Sequence, residues 1–110
     1  MTENTTVPAP IDDFIAAVNR HDEAAFLDSF TAEGSVDDWG RIFAGREAIK
    51  GWSDGEFIGA NGTLTVEEVS TEGEAIHVVG DWRSTHANGR SAFTFTTEGD
   101  KIVRMTIREG

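Results

Sequence analysis

The fold is decided in the C-terminal half of the chain, most clearly by Phe93-Thr94-Phe95-Thr96, where large apolar residues alternate with small polar ones. The same two-residue period recurs in three further groups: Leu64 and Val66; Ile76, Val78 and Trp82; and Val103, Met105 and Ile107. Alternation of this kind is typical of a β-strand with one buried face. Turn-forming residues separate the groups at Glu72-Gly73, Ala87-Asn88-Gly89 and Glu98-Gly99-Asp100. Because turns this short join neighbouring strands, we predict four long antiparallel strands.

The N-terminal half has helical spacing instead. A first helix is predicted by apolar residues at i, i+3, i+4 and i+7, namely Ile11, Phe14, Ile15 and Val18. Asp22 has the side chain of an N-cap, and it predicts a second helix. The inward residues of that helix are expected to be Phe26, Leu27 and Phe30, with Gly34 ending it. His21, in the turn between the helices, is expected to cap the end of the first one.

The middle of the chain links the two halves. Short strands are expected over residues 35–38 and 41–43, and Gly45 opens a third, shorter helix that carries Ile49 and Trp52. Helices followed by a run of antiparallel strands indicate the α+β class. We therefore expect a flexible N-terminal tail over residues 1–10 and a single domain over residues 11–110.

Composition excludes several classes of function. The 110 residues include 9 Lys+Arg against 20 Asp+Glu, giving a net charge of −11, which disfavours nucleic acid and anionic membranes as partners. There is no cysteine, so disulfides, thiolate nucleophiles and Cys-ligated metals are excluded. No phosphate-binding, dinucleotide-binding or metal-ligand spacing is found, so no cofactor and no metal are expected. The first ten residues lack the pattern of a signal peptide, and we expect a cytoplasmic protein.

Three stretches together resemble a known superfamily. They are Phe14…Asn19-Arg20-His21-Asp22…Phe26…Phe30, then Val36-Asp37-Asp38, then Phe43-Ala44-Gly45-Arg46-Glu47-Ala48-Ile49. In this order and spacing they resemble the nuclear transport factor 2-like (NTF2-like) superfamily, which includes ketosteroid isomerases, SnoaL-type polyketide cyclases and limonene epoxide hydrolases. The resemblance covers about residues 11–108. It implies a cone-shaped, curved antiparallel sheet wrapped around three N-terminal helices, as in the cystatin-like folds. It also implies an apolar pocket inside the cone and a homodimer formed through the outer face of the sheet.

Asp38 is the main catalytic candidate that the resemblance implies. It follows Phe30 by eight residues, which is the spacing of the general base in the ketosteroid isomerases that this chain resembles. An apolar pocket destabilises a carboxylate, which strengthens it as a base. Asp37 takes this place if the strand faces the other way. The alternative for Asp38 is an ion pair with Arg41 or Arg46.

The chain also departs from the families it resembles. It contains no tyrosine, and Phe14 stands where the isomerases have one; their late-strand aspartic acid falls near Ser91 or Ala92 here. Losing one such donor typically costs about 10²–10³ in rate, so a steroid isomerase is not expected. The Asp-Arg-Asp trio of the epoxide hydrolases, with its tyrosine helper, is not expected either, and the pair Asp81 and Arg83 does not replace it.

Histidine and aromatic residues complete the predicted site. His86 has the strand parity of Trp82, so we expect it at the pocket mouth as an acid partner of Asp38, whereas His77 has the opposite parity. A small, flat, apolar ligand is expected to meet a larger set of side chains. That set is Phe14, Val18, Trp39, Trp52, Phe57, Trp82, Phe93, Phe95 and Met105.

Two hypotheses of function follow. The first is a SnoaL-like pocket protein that acts as a cofactor-free isomerase, cyclase or dehydratase, a cyclase-type lyase included, with Asp38 as general base. The second is a non-catalytic ligand-binding or dimerisation module. The predicted dimer face consists of Val79, Thr94, Thr96, Ile102, Arg104 and Thr106.

Overall fold

The computed structural model describes residues 6–110, so the first five residues of the predicted tail lie outside it. Three helices and six strands follow in this order: α1 (Ile11–Asn19), α2 (Glu23–Asp28), β1 (Phe30–Asp38), β2 (Arg41–Ala44), α3 (Arg46–Glu56), β3 (Thr63–Glu72), β4 (Ala75–Arg83), β5 (Gly89–Glu98) and β6 (Lys101–Glu109). No helix among these residues is long and apolar enough to cross a membrane. The α+β class, with a curved sheet and three helices, is confirmed.

The strands form one open sheet in the order β2-β1-β6-β5-β4-β3. The four predicted long strands pair antiparallel, as expected. Of the two remaining pairs, β1–β2 is antiparallel, whereas β1 runs parallel to the last strand, β6, with Val36 opposite Met105, which differs from the prediction. No local pattern marks this pairing, since it joins segments about seventy residues apart. The sheet is therefore six-stranded and mixed.

Helix α2 is shorter than predicted. Asp22 does cap it, because its Oδ1 accepts a hydrogen bond from the backbone N–H of Ala25 at 3.1 Å. The helix ends at Asp28, however, and Phe30 already belongs to β1, so Gly34 does not end a helix. A Cβ on Gly34 would lie 3.0 Å from the carbonyl oxygen of Ile102, so a larger residue would crowd the β1–β6 pair.

A bulge in β6 reverses the predicted facing of one residue. Thr96 lies opposite Arg104 while Thr97 lies opposite Ile102, so Val103 has no partner across the pair. This extra residue shifts the alternation by one position. Ile102 therefore points into the core together with Met105 and is fully buried, so its assignment to the outer dimer face is wrong.

Side chains from the helices and from the inner face of the sheet form one core. Its largest fully buried members include Phe14, Phe26, Phe30 and Phe95, and Phe14 meets the other three at ring-centroid distances of 5.4–5.7 Å. This aromatic cluster fills one part of the interior. A second group of rings lines the open part of the interior.

Candidate active site

A cavity of about 280 Å³ opens where three segments meet: the β1–β2 turn, the C-terminal end of α3 and the β4–β5 loop. It is lined by Asp38, Trp39, Arg41, Trp52, Glu56, Phe57, Trp82, His86, Ala87, Ser91, Phe93 and Ile107. Most of these residues are apolar, and four carry titratable or charged groups. This is the usual composition of a small-molecule site.

One wall of the cavity is a stack of aromatic rings. Phe57 lies between Trp52 and Trp82, with ring centroids 4.8 and 4.5 Å away and interplanar angles of 26° and 11°. Phe93 closes the stack at a tilted angle, 6.1 Å from Trp82. All four rings are buried, and their mutual packing fixes the shape of the wall.

Asp38 lies at the end of β1 with 13% of its side chain exposed. Its Oδ2 accepts a hydrogen bond from Trp52 Nε1 at 3.0 Å and a second one from Arg41 Nη2. Both contacts fall on the same oxygen, and Oδ1 accepts no hydrogen bond within residues 6–110. The carboxylate is thus held in one orientation with one oxygen free.

Arg41 connects Asp38 to Glu56. Its Nη2 also donates to Glu56 Oε1 at 2.6 Å, while Nη1 donates to Oε2 at 3.1 Å, so the guanidinium grips both oxygens of Glu56. Hydrogen bonds from Arg41 hold the pKa of Glu56 below its ordinary value, although partial burial opposes this. The two carboxylates in turn raise the pKa of Arg41 above its usual value. The mouth of the cavity therefore carries two carboxylates, Asp38 and Glu56, and one fixed cation, Arg41.

His86 enters the mouth from the β4–β5 loop. Its Nε2 lies 3.1 Å from Glu56 Oε1. The loop is held by Ser84, whose Oγ accepts from the backbone N–H groups of His86 and Ala87 at 3.1 and 2.9 Å. Thr85 anchors the same loop to the carbonyl oxygen of Ala60 at 2.8 Å. The imidazole is thus presented by a fixed backbone and contacts a fixed carboxylate.

Asp37 faces the other side of the sheet. Its carboxylate accepts from Arg108 Nη1 and Nη2 at 3.0 and 3.1 Å and from the N–H of Gly40 at 2.8 Å. These bonds, those from Arg108 first, lower the pKa of Asp37. Of the two neighbouring aspartates, it is Asp38 whose side chain lines the cavity.

The family follows from comparison with known proteins. A family model, the SnoaL-like domain, matches residues 11–105. This chain belongs to the SnoaL-like family. The resemblance to the NTF2-like superfamily is confirmed by this match and by the similar structures described next. No curated protein matches the SnoaL-like chain in sequence.

Solved structures show the same fold. A protein with a ketosteroid isomerase-like fold from Catenulispora acidiphila, in complex with trimethylamine, has a TM-score of 0.75 and 22% identity over 96% of this chain and 88% of its own. The epoxide hydrolase/cyclase-like enzyme SalBIII of pyran ring formation in salinomycin has a TM-score of 0.80 and 21% identity, covering 91% and 87%. RV0760c from Mycobacterium tuberculosis, in complex with estradiol-17β-hemisuccinate, has a TM-score of 0.79 and 19% identity over 91% of this chain and 90% of its own. At these identities the likeness concerns the fold alone.

The SnoaL-like structure brings most of the predicted site residues together. Asp38, His86, Trp39, Trp52, Phe57, Trp82 and Phe93 all line the cavity. The other four, Phe14, Val18, Phe95 and Met105, are buried in the core and do not line it. They share the inner face of their elements with the lining residues, but the rings of Phe26 and Phe30 pack against Phe14 and fill the space there.

Glu56 is a charged lining residue that sequence reasoning missed, and Ala87 and Ile107 are two further lining residues outside the predicted set. Glu56 ends α3, and no spacing relates it to Arg41, fifteen residues earlier, or to His86, thirty residues later. At the mouth of the cavity, Arg41 lies between two carboxylates, those of Asp38 and Glu56. The pair Asp81 and Arg83 is separate from this group. The Arg41 contact with Asp38 was one of the alternatives for that aspartate.

The other two histidines lie elsewhere. His21 Nε2 contacts the carbonyl oxygen of Gly62 at 2.9 Å, so His21 joins α1 to the α3–β3 loop and its ring does not cap α1. His77 Nδ1 contacts Thr94 Oγ1 at 3.0 Å on the outer face of the sheet. Within residues 6–110, no three His, Asp or Glu side chains are grouped so as to hold a metal ion.

Proposed function

We propose that this SnoaL-like protein binds a small, flat, mostly apolar molecule in the cavity and moves one of its protons with Asp38 as general base. A volume of about 280 Å³ lies just below the usual range for ligand pockets, so only a small molecule fits. The stacked wall of Trp52, Phe57 and Trp82 offers ring surface to a planar molecule. The size and the wall together favour a compact aromatic or cyclic ligand.

The single observation that carries the catalytic part is the orientation of Asp38. Its Oδ2 is held by Trp52 and Arg41, and its Oδ1 accepts no hydrogen bond among residues 6–110, in a residue that lines the cavity. A base that is fixed before the ligand arrives needs no reorganisation during proton transfer, which is how a positioned side chain contributes about 10²–10⁴ in rate. Isomerisation, cyclisation and dehydration are the reaction classes that this chemistry serves without a cofactor.

Two hydrogen-bond donors at the mouth of the cavity can stabilise negative charge that develops on the ligand during proton transfer. Arg41 is a fixed cation, and His86 is the titratable donor on the opposite segment. The tyrosine and the aspartic acid of the ketosteroid isomerases have no counterpart here, because Phe14 lies in the core and Ser91 or Ala92 stands near the late-strand position. A steroid isomerase therefore remains disfavoured.

A second candidate is a non-catalytic ligand-binding module. The ion pair between Asp38 and Arg41 favours it, because this contact already occupies one oxygen of the carboxylate. Both candidates require the aromatic cavity. They differ in whether the bound molecule is converted.

The test combines a ligand screen with substitutions of the two neighbouring aspartates, Asp38 and Asp37. Compact aromatic and cyclic compounds are screened by thermal shift, where a ligand at 100 times its Kd stabilises the fold by about 2.7 kcal/mol. Each hit is then incubated with wild type, Asp38→Asn and the matched control Asp37→Asn, and turnover is followed by mass spectrometry. We expect a loss of about 100-fold or more in Asp38→Asn alone. Equal turnover in both variants overturns the base; binding without turnover in wild type establishes the binding module.

A further inference from the structure

His86 has two ring nitrogens in different surroundings. Nε2 lies 3.1 Å from Glu56 Oε1, whereas Nδ1 makes no hydrogen bond within residues 6–110. Arg41 keeps Glu56 negatively charged, because its hydrogen bonds hold the pKa of that carboxyl below the ordinary value. A carboxylate only accepts hydrogen bonds. Nε2 must therefore carry a proton whenever this contact is made.

The position of Glu56 is itself over-determined. Its oxygens take two hydrogen bonds from Arg41, at 2.6 and 3.1 Å, and Arg41 is held in turn by Asp38. A two-point contact between guanidinium and carboxylate fixes direction as well as distance. The Glu56 side chain is also only 25% exposed, so water competes weakly for it. Glu56 is thus a fixed hydrogen-bond acceptor for His86, whose own side chain is half exposed.

We infer that Glu56 is a positioning residue that fixes the tautomer and ring orientation of His86, so that Nδ1 is the atom that exchanges a proton with the bound molecule. The last part of this inference rests on the proposed function. With Nε2–H committed to Glu56, protonated His86 donates the proton on Nδ1 to the group of the bound molecule that becomes negative as Asp38 removes a proton elsewhere on it. His86 is left neutral, with its remaining proton on Nε2 in contact with Glu56. The molecule loses one proton and gains one, and the reverse transfers restore both residues.

Charge compensation is the second part of the role of Glu56. An imidazolium formed at the mouth would otherwise lie near the Arg41 cation, and like charges oppose each other. The Glu56 carboxylate lies between them, in contact with both. Asp38, on the far side of Arg41, completes an alternating series of negative and positive groups. The Glu56 carboxylate therefore separates the two cationic side chains when His86 is protonated.

The tautomer is measured directly on the ligand-free protein. Two-bond proton–nitrogen NMR spectra of ¹⁵N-labelled protein, recorded about two pH units above the ordinary histidine pKa of about 6.5, distinguish a protonated ring nitrogen from a bare one. We expect His86 to show a protonated Nε2 and a bare Nδ1. His21 is an internal reference, because its Nε2 faces a carbonyl oxygen that can only accept. A wild-type His86 with its proton on Nδ1 overturns the inference, and this result needs no variant.

Two variants test the role of Glu56. In Glu56→Ala we expect the two ¹⁵N shifts of His86 to move towards each other, because the proton is then shared between the nitrogens, while His21 is unchanged. Glu47→Ala, at the exposed start of the same helix, is the matched control and leaves His86 unchanged. Identical His86 shifts in wild type and Glu56→Ala overturn the inference. Because this readout uses no ligand, its failure is distinct from that of the proposed function, which Asp38→Asn tests by turnover.

Discussion

At the scale of single residues, Gly62 permits the aromatic wall. A Cβ at this position would lie 2.1 Å from Cη2 of Trp82 and 2.9 Å from the carbonyl oxygen of Phe57. Both distances are too short for real atoms, and the second neighbour is backbone, which cannot rotate away. The space that a side chain would need is already filled by the Trp82 ring.

We therefore expect Gly62→Ala to destabilise the protein by about 1–3 kcal/mol, since overpacking forces the ring or the loop to shift. Urea denaturation measures the loss, and tryptophan emission reports the displaced ring. The matched control is Gly51→Ala in α3, where an added Cβ meets nothing within 4 Å. This control should be stabilised by roughly 0.5–1 kcal/mol, because alanine favours a helix. Equal stability of Gly62→Ala and wild type would contradict the packing argument.

Glu56 also links stability to pH. Its pKa in the folded protein is lowered from 4.5, first by the Arg41 hydrogen bonds and against the effect of burial. A group whose folded pKa is depressed contributes stability above its unfolded pKa and loses it as the pH falls through the folded value. Glu56→Gln is therefore expected to be less stable than wild type by about 1 kcal/mol at pH 7.

This difference should shrink as the pH falls below 4.5 and vanish at lower pH, where Glu56 is protonated in both states. Denaturant melts of wild type and variant at several pH values measure it. Glu74→Gln is the control, at an exposed position in the β3–β4 turn that makes no ion pair within residues 6–110. A pH-independent difference would mean that Glu56 acts through shape and not through its charge.

At the scale of elements, the side-chain amide of Asn19 connects α1 to the sheet by hydrogen bonds. Asn19, the last residue of α1, donates from Nδ2 to the carbonyl oxygen of Leu64 at 2.9 Å and accepts at Oδ1 from its N–H at 2.7 Å. The side chain thus pairs with β3 as a neighbouring strand would. Since β3 is an edge strand, this contact satisfies backbone groups that would otherwise be left open.

Asn19→Ala is expected to cost about 1–3 kcal/mol, because the half-buried N–H and C=O of Leu64 lose their partners. Asn19→Asp keeps the acceptor but not the donor, so its loss should be smaller. Chemical denaturation gives the order, and hydrogen exchange at the Leu64 amide gives the local effect. If Asn19→Asp loses as much stability as Asn19→Ala, the hydrogen bond from the Leu64 N–H to Oδ1 contributes nothing, which contradicts the argument.

At the scale of the whole molecule, the outer face of the sheet is the predicted dimer surface. Val79, Thr94 and Thr106 lie on it half-buried, whereas Ile102 has been reassigned to the core. A sheet face with apolar and short polar residues is suited to covering by a second copy. Light scattering at micromolar concentration is expected to give twice the mass of one chain.

Thr94→Arg, in the middle of this face, should give single chains, because a charge would be buried without a partner. Ile42→Ser tests another part of the same face, because Ile42 is the exposed apolar residue of the edge strand β2 and shares a face with Thr94 through the paired residues Asp37 and Thr106. A dimer that Ile42→Ser disrupts and Thr94→Arg does not would place the interface on the β1–β2 edge. The mass of one chain for wild type would end the dimer prediction.

Local patterns in the sequence determined most of the elements and part of the site. The alternation around Phe93 and Phe95 and the helical spacing from Ile11 depend only on neighbouring residues, and Asp22 caps α2 through a bond three residues long. The resemblance to the ketosteroid isomerases implied Asp38 as a site residue, through its spacing from Phe30, and Asp38 does line the cavity. Such features could be predicted because each depends on a short, regular stretch.

Only the tertiary structure decided the rest, because it depends on residues distant in sequence. The parallel pairing of β1 with β6 and the bulge at Val103 are set by packing across the sheet, and the bulge moved Ile102 into the core. The contact of Glu56 with Arg41 and His86 arises where three segments meet. A period of two residues cannot show an inserted residue or a partner thirty positions away. The mouth of the cavity could therefore be described only once the chain was folded.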